Sequence, residues 1–97
     1  MSDPEGPAYF SDFSAMAESD VARDQAAEVV RAVLAWYAGQ VLKERRAPMP
    51  SPAHIEELTA AWEAARADQS RLAEASPEEM ARLATHYAAQ YRKLRDS

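Results

Sequence analysis

The chain has no cysteine. That removes disulfides, thiolate metal sites and cysteine nucleophiles together. It has only two glycines, and neither belongs to a Gly-rich phosphate loop, a nucleophile elbow or any other compact catalytic signature; there is no HExxH helix either. No apolar run approaches the roughly 18 residues that span a bilayer. The opening residues, MSDPEGPAYF, lack both the basic region and the apolar region of a secretory signal. These absences lead to the expectation of a cytoplasmic protein with no cofactor and no metal. Cations are also in short supply, 11 against 16 acids for a net charge of −5. Such a balance repels phosphate backbones, so nucleic-acid binding would require a segregated basic face.

What is abundant is alanine. Apolar residues make up 47% of the 97 positions, as in a folded domain, but close to half of them are alanine. Burial returns about 25 cal/mol per Å², and an alanine-rich core of this size buries little area per residue. A monomer is therefore expected to be marginally stable and to gain from forming a homo-oligomer. Arginine far outnumbers lysine, which together with the alanine content fits a GC-rich bacterial gene.

The clearest periodicity lies in Ser51–Leu72. Ile55, Leu58, Trp62, Ala65, Gln69 and Leu72 recur at steps of three and four, a narrow helical seam. Ser51 with Pro52 behind it starts this helix, as N-cap and N1. A second start follows at Ser76-Pro77-Glu78-Glu79, where Ser76 caps and Glu79 completes a capping box. Met80, Leu83, Ala84, Tyr87, Tyr91 and Leu94 then form one stripe. The turn between these helices is short, which predicts antiparallel neighbours, with Ala65 beside Tyr87 and Leu72 beside Met80.

Before them, Val29, Val30, Val33, Leu34, Trp36, Tyr37 and Val41 spread over an arc of about 160° on a helix. So wide a face meets at least two neighbours. Gly39 interrupts it, which predicts a kink or a close helix crossing there. Ala47-Pro48-Met49-Pro50 ends the helix. Pro4, Gly6 and Pro7 predict an N-terminal arm rather than a helix over residues 1–13. The arm is expected to patch an open end of the core, to present Tyr9, Phe10 and Phe13 as a short aromatic docking motif, or to stay flexible.

The fold expected is therefore all-α: an antiparallel three-helix bundle with helices about 15–46, 52–75 and 77–95, an extended arm at 1–13, and a single helical domain at 14–97. The histidines carry little chemistry. His54 and Glu57 at i, i+3 supply at most two metal ligands, and His86 would need a partner from another helix. Trp36, at one margin of the wide arc, is either packed or an interface anchor. Lys43, Arg45 and Arg46 recur in type as Arg92, Lys93 and Arg95, and parallel first and third helices would place all six at one pole. Dipole compensation at helix C-termini accounts for both clusters.

These readings favour a small non-catalytic protein–protein interaction module, a regulator, adaptor or inhibitor that self-associates. Its partner-binding residues would be Tyr9, Phe10, Phe13 and Trp36. One alternative is a small helical enzyme with its site across a dimer interface. The other is a nucleic-acid-binding regulator using the basic pole.

Overall fold

A computed structural model describes residues 5–97, with side chains placed from Asp20 onward. It consists of three helices, α1 (Glu5–Arg45), α2 (Pro52–Arg71) and α3 (Pro77–Asp96). They pack as an all-α three-helix bundle.

Local chemistry starts α2 and α3 where their caps stand. The Ser51 hydroxyl accepts from the His54 backbone N–H at 3.2 Å, and the Ser76 hydroxyl accepts from that of Glu79 at 3.2 Å. Each cap is followed by proline at N1, where a missing N–H removes no intrahelical bond. Glu44 near the end of α1 adds a tie across the proline-rich connection, its Oε1 accepting from Ser51 N at 2.9 Å.

Long-range bonds give the directions. Arg23 on α1 donates to the carbonyls of Leu72 and Ala75, just past the end of α2, at 3.0 and 3.4 Å. With Glu44 beside Ser51, α2 therefore runs antiparallel to α1. Gln90 Nε2 donates to the Tyr37 hydroxyl at 2.7 Å, so α3 runs back parallel to α1.

The core is one cluster: Ala26, Val30, Val33, Leu34 and Tyr37 from α1, Leu58 and Ala65 from α2, Leu72 and Ala75 from the turn, Met80 and Tyr87 from α3. Most backbone approach is between α1 and each of the other two helices; α2 and α3 meet each other at few points. The tight α2–α3 pairing expected from their two narrow stripes is thus looser than anticipated. The wide arc of α1 is wedged against both stripes, and each stripe spends its apolar surface on α1.

Three boundaries differ from expectation. Helix α2 ends at Arg71 rather than near 75. Leu72 and Ala75 are both buried, and their carbonyls accept from the Arg23 guanidinium. Helix α3 reaches Asp96, one residue further than expected. The backbone of residues 5–13 is helical instead of extended, because α1 begins at Glu5. Pro7 then falls in the first turn, where backbone N–H groups have no intrahelical acceptor, so it breaks nothing.

Gly39 does not interrupt α1 and marks no close crossing. The helix is continuous through it with no positive φ, and a Cβ added there would meet nothing within 4 Å. Within the bundle this glycine costs about 1 kcal/mol relative to alanine with no steric reason for it.

Candidate functional site

Of the grooves on the described surface, two lie between helices and are lined by both partners. The first, about 440 Å³, is lined by Ala38, Val41, Leu42 and Arg45 of α1 and by Thr59 and Trp62 of α2. Its wall is predominantly apolar, with the small Ala38 of α1 and the Trp62 ring of α2 among its lining. Leu42 is 50% exposed at its edge, an apolar side chain that neither α2 nor α3 covers. Arg45 supplies the single charge.

The second groove, about 340 Å³, is lined by Arg71 of α2 and by Glu79, Arg82, Leu83 and His86 of α3. Its polar side chains are exposed. His86 stacks edge-on against Tyr87, with ring centroids 4.9 Å apart. The described residues form the ion pairs Arg23–Asp20 and Arg71–Asp68 and a contact between His54 and Glu57; Glu79 and Arg82, though three positions apart on α3, form none. An exposed pair gains little over solvated side chains.

Asp68 and Tyr87 form the polar side-chain tie from α2 to α3 among the described residues. The Tyr87 hydroxyl donates to Asp68, whose other oxygen meets Arg71 at 3.4 Å. Burial, the hydrogen bond to Asp68 and the carboxylate's charge all push the Tyr87 phenol well above its ordinary pKa. A phenol held neutral in this way is a structural donor, the opposite of an activated base or nucleophile. Among the described residues no three His, Asp or Glu side chains converge as metal ligands. No helix there is long and apolar enough to cross a membrane.

The residues singled out by sequence are scattered. Trp36 is partly buried against the core and makes a T-shaped contact with Tyr37 at 5.3 Å. Lys43, Arg45 and Arg46 lie at the same end of the bundle as Arg92, Lys93 and Arg95, as parallel α1 and α3 require, and all six are exposed. The Arg95 guanidinium sits 5.7 Å from the Tyr91 ring centroid. Tyr9, Phe10 and Phe13 are on the helical backbone of α1, but their side chains lie outside the described ones. Gln69 does not reach across the seam: its amide oxygen accepts from Arg66 on its own helix.

Comparison with known proteins finds no matching family model, no matching curated protein and no matching solved structure.

Sequence reasoning missed the groove at Leu42 and Trp62. Trp62 was assigned to the α2–α3 seam, and Leu42 stood outside the apolar arc. The signal was present in the run Ala35, Ala38, Gly39, Leu42, small residues at helical spacing beside one large one. It becomes a groove only when α2 brings Trp62 alongside.

Proposed function

We propose that this protein is a small non-catalytic protein–protein interaction module, a cytoplasmic regulator, adaptor or inhibitor, and that its contact face is the groove between α1 and α2. The observation that carries the reading is the half-exposed Leu42 beside Trp62 in an apolar wall rimmed by one arginine. An aromatic and an aliphatic anchor in a concave apolar surface with a charged margin is the composition of a contact hot spot. The direction of the Tyr87 shift adds support, since it favours a neutral structural phenol over acid–base work. The second groove supports an enzyme less well. Its Arg71, Arg82 and His86 side chains are exposed to water, and among the described residues no third group orients the imidazole as a catalytic base requires.

The test is site-specific photocrosslinking in the source cells. A photoreactive residue at position 42 is expected to yield a covalent protein adduct. The same residue at position 81, exposed on the outside of α3, is expected to yield none. Absence of an adduct at 42, or equal labelling at both positions, refutes the assignment of the face.

A further inference from the structure

The groove between α1 and α2 takes four residues from α1 at i, i+3, i+4 and i+7, namely Ala38, Val41, Leu42 and Arg45, and Thr59 and Trp62 one turn apart on α2. The α1 set spans two turns, about 10 Å at 1.5 Å per residue. Ala38 and Leu42 are exposed, and Val41, Thr59 and Trp62 are partly so. None of the lining comes from α3. A trough of this kind between two antiparallel helices is a seat for a third helix, which fills it through its own side chains at i, i+3 or i+4 and i+7.

The two lips of the seat differ in sign. Arg45 is the one charged residue in the lining; it is exposed and forms no ion pair among the described residues. From residue 29 to residue 43 the α1 sequence contains no acid. Glu44 comes next, and it accepts from the Ser51 backbone N–H. Lys43 and Arg46 stand at the same end of α1. On α2, Glu56 and Glu63 lie one turn to either side of Thr59, on the flank of that helix turned away from the buried Leu58 and Ala65. A carboxylate entering the groove is therefore drawn to the α1 lip and repelled from the α2 lip.

We infer that the occupant of this groove is an amphipathic helical segment of another protein, with an acidic side chain on the flank that faces α1, set against Arg45. This rests on the interaction reading above and gives the chemistry of its partner. Apolar side chains one turn apart on the segment pack on Val41, Leu42 and the Trp62 ring, over the small Ala38. One turn further along, the carboxylate meets the Arg45 guanidinium, whose N–H groups donate to it in pairs. A segment with lysine or arginine at that position meets Arg45 as a like charge, which gives the groove a means of rejection as well as of attraction. The acid sits at the rim and stays partly in water, so its effect is modest: exchanging a carboxylate for an ammonium there changes affinity about fivefold to tenfold.

Three fluorescently labelled peptides of 14 residues test this by anisotropy against the full chain. All carry leucine at positions 4, 8 and 11 on a background of alanine and glutamine. They differ only at positions 1 and 14, which are both glutamate, both glutamine or both lysine, so that either direction of docking sets one end group beside Arg45. At low salt the glutamate peptide is expected to bind about fivefold to tenfold tighter than the lysine peptide, with the glutamine peptide between them; the gap is expected to narrow at about 0.5 M salt. The net charge of −5 makes this order diagnostic, because attraction to the chain as a whole favours the lysine peptide. Arg45→Gln, at an exposed side chain, is expected to erase the preference for glutamate while the glutamine peptide binds as before. Leu42→Asp is expected to weaken all three at least tenfold with unchanged helicity. Equal or tighter binding of the lysine peptide, a glutamate preference that survives Arg45→Gln, or no binding of any peptide at about 1 mM overturns the inference. If position 42 then photocrosslinks to another protein, the acidic segment fails and the interaction reading stands. An adduct of two copies of this chain overturns the inference by assigning the groove to a second copy. If position 42 crosslinks to nothing, both readings fail.

Discussion

Replacing Tyr87 by phenylalanine isolates one oxygen atom that joins two helices otherwise connected mainly through a third. The ring is 3% exposed and stays in place in the variant; only the bond from its hydroxyl to Asp68 is lost. A hydrogen bond to a charged acceptor contributes about 1.5–3 kcal/mol. Asp68 keeps Arg71 at 3.4 Å and its side chain is 23% exposed, so it can recover part of the loss from water. The expected destabilisation is about 1–2 kcal/mol. For a domain of this size that lowers Tm by roughly 4–15 °C, readable by circular dichroism. The pH dependence gives a sharper signature. The folded phenol has its pKa raised, so its contribution is complete below the unfolded value near 10 and is lost as pH rises above it. At pH 11 the unfolded chain gains about 1.4 kcal/mol by ionising this tyrosine. The stability difference between wild type and Tyr87→Phe should therefore shrink by about that amount between pH 9 and 11. Urea titrations at the two pH values measure it. A difference that is absent at pH 9, or that does not shrink at pH 11, would refute the Asp68–Tyr87 tie.

Two further substitutions probe the bundle. Gly39→Ala adds a methyl group where nothing lies within 4 Å, so helix propensity alone should stabilise the protomer by about 0.5–1 kcal/mol. Thermal scans should show a higher Tm, and a lower one would mean that Gly39 is needed by the fold. Ala65→Leu forces three carbons into a site that is 1% exposed, one turn from Asp68. Overpacking of this kind costs about 1–3 kcal/mol, visible as a lower urea midpoint by tryptophan fluorescence; an unchanged midpoint would contradict close packing of α2 on α1.

The sequence by itself determined the parts whose causes are local. Ser51-Pro52 and Ser76-Pro77 start helices through bonds that span three residues, and both hydroxyls accept the N–H groups their spacing implies. The wide arc of α1 and the two narrower stripes were enough to yield three helices with α1 touching both others. Where the chain missed expectation, two local rules competed or none applied. Pro7 reads equally as a breaker or as a first-turn residue, and only the helix around it shows which. Arg23 reaches the carbonyls of Leu72 and Ala75 across about fifty positions, and no periodicity signals an arginine that closes another helix. The Asp68–Tyr87 and Tyr37–Gln90 bonds likewise depend on how far each helix slides along its neighbour. The groove is the clearest case. Ala38, Leu42 and Trp62 each have an ordinary place in their own helix, and a concave apolar surface exists only once tertiary packing sets α2 beside α1. Periodicity reports which side of a helix is apolar; the relative placement of two helices decides whether the space between them is filled.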